Sequence, residues 1–159
     1  MRQADRDEIY NVIGHNNPWL FAAAVLDAIG MGRGIVSAVG HVPVACMGYQ
    51  PRHTGVCEVF AFGTNAFDRV ALSLTKHALR VMKPAMLEAG FHRAQCLSRH
   101  DHITAHRWLE HMGFKREGVL SQYGSDGSDY IQFGAITNVF QRTEAQEAAT
   151  APEQVGQPG

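Results

Sequence analysis

Residues 91–118 read FHRAQCLSRHDHITAHRWLEHMGFKREG. His92 to Ser98 is a β-like run, and Thr104 to Met112 has the spacing of a short amphipathic helix. Gly113 stops that helix, because glycine readily takes the left-handed backbone that ends one. Phe114 follows, and Lys115-Arg116 make the turn beyond it basic.

Working outward, Val119–Tyr123 and Tyr130–Ile136 read as a final hairpin around Ser125-Asp126-Gly127-Ser128, which is turn chemistry. Upstream, a long helix is expected from about Arg69 to Ala89, with Asp68 as cap and Gly90 as stop. Its apolar stripe is Leu72, Leu79, Met82, Met86 and Leu87. Pro84 removes a backbone donor inside it and predicts a kink or break. Three strands precede this helix. Ile35–Val39 and Val42–Tyr49 flank a Gly40-His41 turn, Pro51–Gly55 is a second turn, and Val56–Phe62 is the third strand. On that strand Val56, Glu58, Phe60 and Phe62 share one face, and Cys57, Val59 and Ala61 the other. Arg2 to Val12 reads as a short extended start followed by a helix. A second helix, LFAAAVLDAI, begins near Pro18 with Asn16 or Asn17 as cap. The order is β-α-α-β-β-β-α-β-α-β-β, an α+β domain with a mostly antiparallel sheet flanked by helices.

The chain has 159 residues, 45% hydrophobic and 18% charged, as expected of one globular domain. Residues 1–140 carry the domain; 141–159 form a polar tail with too few large apolar residues to fold alone. A formal net charge of −1 argues against nucleic acid as a partner. Cys46, Cys57 and Cys96 lie in apolar runs without a C-x-x-C and read as free, buried thiols of a reducing compartment. No apolar run nears 20 residues, so no membrane partner is expected and the localisation reads as cytoplasmic. His100, His102, His106 and His111 crowd one segment. His102 and His106 sit one helical turn apart, but without a Cys pair or H-E-x-x-H they read as structural, not metal-binding, histidines. Met82, Met86 and Trp108 read as core.

The 91–118 stretch resembles the C-terminal signature of the GNAT N-acetyltransferases, in particular the ribosomal-protein acetyltransferase branch. In that branch a strand beginning His-Arg leads to Asn-x-x-Ser/Ala and then to Leu-Glu-x-x-Gly-Phe-x-x-Glu-Gly. Here His92-Arg93, Ala105, Leu109-Glu110, Gly113-Phe114 and Glu117-Gly118 match, and His102 stands at the Asn position. The opening Arg2-Gln3-Ala4, with Asp5 and Asp7, also resembles the family's. The resemblance implies the GNAT fold, acetyl-CoA as cofactor and an amine as substrate. It implies Phe60, Ala61, Phe62, Ala71, Ser73, Thr75 and His102 as cofactor-binding positions. The family's Arg/Gln-x-x-Gly-x-Gly/Ala loop cradles the pyrophosphate on backbone N–H groups. Here its glycines fall near Ala71, Ser73 and Thr75, and Gly63 is the nearest glycine upstream.

Acyl transfer to an amine needs a base, and Glu58 is the candidate. The position of the family's tyrosine acid is Leu109, so Tyr123 is the candidate acid. The alternative is a GNAT-fold protein without catalysis. The apolar hairpin strand HVPVACMGY, the Phe62-Gly63-Thr64 strand end and the Gly-stopped short helix loosely resemble GNAT-like internal virion proteins of short-tailed bacteriophages. That resemblance implies virion proteins as partners, and host cytoplasm or virion as location.

Overall fold

The computed structural model describes residues 1–13 and 17–136. Six strands make one sheet: β1 (Gly34–Val39), β2 (Val42–His53), β3 (Val56–Gly63), β4 (Arg93–Arg99), β5 (Lys115–Leu120) and β6 (Tyr130–Ile136). Their order is β1-β2-β3-β4-β6-β5. β3 and β4 are parallel and the other neighbours antiparallel. The helices are α1 (Gln3–Ile13), α2 (Pro18–Gly30), α3 (Ala71–His77), α4 (Lys83–Glu88) and α5 (Ile103–His111). This is the α+β architecture the element order implies. The tail 141–159, the expected last residues of the domain (137–140) and the candidate cap Asn16 lie outside the described residues.

The helix stop at Gly113 forms as its spacing predicts. Gly113 has φ +94°, its N–H donates to Glu110 O at 3.0 Å, and the Phe114 N–H donates to Leu109 O at 3.0 Å. These two bonds make a Schellman motif, and Phe114 packs into the cluster that holds Leu109. The same pair of bonds ends α4, with Gly90 donating to Leu87 O and Phe91 to Met86 O, both at 3.0 Å. At α2, Asn17 is the cap: its side chain accepts from the N–H groups of Trp19 and Leu20.

Pro84 does break the long helix. A π turn, Ala78–Met82, separates α3 from α4, and the Lys83 N–H bonds Ala78 O. The core residues here recur every fourth position, at Leu74, Ala78, Met82 and Met86. In an α-helix each four-residue step rotates a side chain about 40° further round. The wider π turn absorbs that drift and keeps the row against the sheet. The expected stripe is thereby corrected: Leu72 is 69% exposed and Leu79 is also exposed, while Leu74 takes the buried place.

Four other boundaries differ from expectation. No strand precedes α1; the chain turns helical at Gln3, where Arg2 and Asp5 pair across the first turn at 2.8 Å. Asp68 caps nothing: it lies in a 3-10 turn, Phe67–Arg69, and the α3 cap position is Val70, without a side-chain bond. β2 runs through Pro51 to His53, because the register shift between Pro51 and His53 tolerates a residue without N–H. β5 starts directly after the helix stop, which leaves Tyr123 beyond its end.

One sheet face packs Ala45, Met47, Tyr49, Cys57 and Ala94 against Leu74, Met82 and Met86. Further along it, Cys96, Ile131 and Phe133 pack on Leu109 of α5. The Trp108 indole N–H donates to Thr75 Oγ1 at 2.7 Å and ties α5 to α3. The opposite face meets α2, with Phe21 5.0 Å from Phe62 between ring centroids. It also meets α1, where the Tyr130 hydroxyl donates to Glu8 O at 2.7 Å. All three cysteines are free and buried.

Candidate functional site

Parallel strands β3 and β4 pair only through Val56–Glu58 and Arg93–Gln95. Beyond Glu58 and Gln95 the strands part. The gap is part of a cavity of about 510 Å³. Val59, Phe60 and Ala61 line it from β3, and Cys96, Leu97 and Ser98 from β4. Ser98 is 2% exposed, and its hydroxyl has no hydrogen-bond partner among the described residues. A buried hydroxyl without a partner is costly.

Of the positions expected to bind or react, Glu58, Phe60, Ala61, Ala71 and His102 line this cavity. Phe62, Ser73, Thr75 and Tyr123 do not. Phe62 packs between Phe21 and Phe60. The Ser73 hydroxyl donates to Val70 O and the Thr75 hydroxyl to Ala71 O, each at 2.8 Å, so both are turned back on their own helix. Tyr123 is 48% exposed and sits edge-on to Tyr130. Glu58 reaches Arg52 Nε at 3.0 Å.

The segment between β3 and α3 uses its own donors. Phe67 N–H bonds Thr64 O, Arg69 N–H bonds Ala66 O and Val70 N–H bonds Phe67 O, each at 3.0 Å. Gly63 leaves no room for a phosphate, because a Cβ there would lie 2.6 Å from Phe67 and 2.8 Å from Val44 O. Phe67, packed under the Arg2 guanidinium and edge-on to Trp108, takes the space. The turn before α3 is thus closed by its own bonds and by Phe67, and the open space lies between the strands.

His102 Nδ1 lies 2.5 Å from Glu8 Oε2. The carboxylate holds the imidazole above its usual pKa, against the opposing effect of burial. His106 is buried and Nε2 donates to Arg99 O at 2.9 Å; burial lowers its pKa and keeps it neutral. Burial also pushes the Cys96 thiol far up, so its alkylation reports on access to the cavity. Among the described residues no group of three or more His, Cys, Asp or Glu is placed to hold a metal ion.

Sequence reasoning missed Asp5, Glu8 and Ser98 as cavity residues. A signal existed for the first two. Asp5, Glu8, Ile9 and Val12 fall on one face of α1, and two acids within an apolar helical face mark buried, partnered carboxylates.

The fold is that of the GNAT-family acetyltransferases. Ard1 from Thermoplasma volcanium superposes with a TM-score of 0.61 at 18% identity, over 72% of this chain and 78% of that one. The ribosomal-protein-alanine N-acetyltransferase from Brucella melitensis gives 0.58 at 13%, over 76% and 78%. The putative acetyltransferase yncA from Salmonella typhimurium, solved with its cofactor acetyl-CoA, gives 0.61 at 13%, over 76% and 74%. No protein-family model and no curated protein sequence matches the chain. Among the described residues no helix is long and apolar enough to cross a membrane.

Proposed function

We propose that this chain is an acetyl-CoA-dependent N-acetyltransferase of the GNAT type, acting on an amine. The carrying observation is the parting of β3 and β4 into a cavity lined by Ser98, whose buried hydroxyl has no hydrogen-bond partner among the described residues. The Salmonella protein of the same fold was solved with acetyl-CoA. The name of the Brucella protein points to a protein amine as acceptor.

Bound acetyl-CoA supplies an acyl thioester. The chain's own part is to seat it and handle the proton. Phe60, Ala61 and Ser98 line the slot from the two strands. Glu58, at the point where the strands part, would take the proton from the attacking amine nitrogen. Arg52 is 61% exposed and can swing away to free the carboxylate. Tyr123 stands outside the cavity wall, so solvent is the simpler proton source for the departing thiolate. His102 lines the cavity at the position of the family's Asn.

A second reading, a scaffold without catalysis, draws on the internally bonded turn at Phe67–Val70 and the space beside Gly63 filled by Phe67. A virion assembly role belongs to this reading. Calorimetry with acetyl-CoA, with desulfo-CoA as control, separates the two. Micromolar binding supports the transferase, and no heat at millimolar ligand refutes it.

A further inference from the structure

We propose that α1 is a clasp across the open end of the β3–β4 cleft, with Asp5 gripping one strand and Glu8 the other, and that it must release to admit a ligand between them. Strands that stop pairing leave backbone groups that need new partners. At the tip of β3, the Gly63 N–H donates to Asp5 Oδ2 at 2.8 Å, and Gly63 O accepts from the Arg2 N–H at 2.7 Å. At the tip of β4, the Arg99 N–H donates to Glu8 Oε1 at 3.1 Å. Asp5 and Glu8 are three residues apart and lie on one helix face. One short helix therefore joins the two arms of the cleft.

Each carboxylate also holds a basic side chain. Asp5 pairs with Arg2 at 2.8 Å and Glu8 with His102 at 2.5 Å. Both acids line the cavity, together with Ile9 and Val12 of the same face. An apolar helix face would seal this wall at less cost than partly dehydrated acids. What the acids add is exchangeable bonding. Gly63 and Arg99 present strand N–H groups that an acceptor on an incoming ligand can take over, while Asp5 and Glu8 keep Arg2 and His102. The inference concerns regulation of the cleft assigned above and rests on that reading only for where the ligand enters.

The test uses the full chain without ligand. The alkylation rate of Cys96, which lines the cavity, is read by peptide mass spectrometry after iodoacetamide treatment, with buried Cys57, which does not line it, as internal control. Amide exchange at Gly63 and Arg99 is followed in parallel. Asp5→Ala and Glu8→Ala should each speed Cys96 alkylation about tenfold or more, with Cys57 unchanged. Equal Cys96 rates in folded variants and wild type overturn the clasp, as does parallel acceleration of Cys57. If the alanine variants do not fold, Glu8→Gln replaces them. Its amide still holds the Arg99 N–H, so Glu8→Met, which keeps the side-chain length without an oxygen acceptor, is measured beside it; faster Cys96 alkylation in Glu8→Met than in Glu8→Gln supports the clasp, and equal rates overturn it. Fast Cys96 labelling with no acetyl-CoA binding leaves the clasp standing and removes the cofactor reading. Tight binding by wild type with Gly63 and Arg99 still protected does the reverse.

Discussion

Glu8 and His102 are hydrogen-bonded at 2.5 Å and join α1 to the start of α5, with side chains only 16% and 13% exposed. The pair has a defined pH signature. Hydrogen bonding to Glu8 raises the folded-state pKa of His102 above the ordinary 6.5. The protonated form is favoured by folding, so its contribution is full below the unfolded-state value and fades as pH rises through the folded one. Thermal melts of wild type and His102→Gln should differ more near pH 6 than near pH 9. A gap independent of pH would show that the pair is not charged.

Glu58→Gln should lower amine acetylation by about 10²- to 10⁴-fold while leaving acetyl-CoA affinity unchanged. Steady-state rates and calorimetry on the same preparation check it. Unchanged turnover would move the base elsewhere in the cavity. Arg52→Gln should alter stability by less than about 1 kcal/mol, because the Arg52–Glu58 pair is largely solvated.

Gly113→Ala should destabilise by about 1 kcal/mol or more, since φ +94° is strained for any residue with a Cβ. Gly118→Ala is the matched control. A Cβ there meets nothing within 4 Å, so its midpoint in urea should stay within about 0.5 kcal/mol of wild type. Equal losses at the two sites would contradict the stop assigned to Gly113-Phe114.

Thr75→Val removes the acceptor for the Trp108 indole N–H and should cost about 1–3 kcal/mol in urea unfolding. Thr75→Ser keeps the hydroxyl and should recover most of that loss. If serine behaves like valine, the methyl packing and not the hydrogen bond joins α3 to α5.

The legible parts were those written in local chemistry. The Gly113-Phe114 and Gly90-Phe91 stops, the Asn17 cap and the break at Pro84 depend on residues within one turn of each other. The stripe of the long helix was misplaced because the π turn that shifts its phase answers to the sheet packed beneath it. Tyr123 is the candidate acid only because Leu109 stands at the family's tyrosine position, and the spacing predicts its strand over Val119–Tyr123. The Schellman stop instead starts β5 at Lys115, which puts Tyr123 past the strand end.

The sequence by itself determined the order of the elements after α1, the α+β class and the face of β3 that carries Glu58, Phe60 and Phe62. Periodicity and capping are near-neighbour properties and are written residue by residue. Only the tertiary structure decided that β3 and β4 part after Glu58 and Gln95, that Phe67 fills the space beside Gly63, and that Asp5 and Glu8 bridge the parted ends. Those contacts join residues 58 and 91 positions apart along the chain. The backbone donors they satisfy exist only once two strands have been placed side by side and then allowed to diverge.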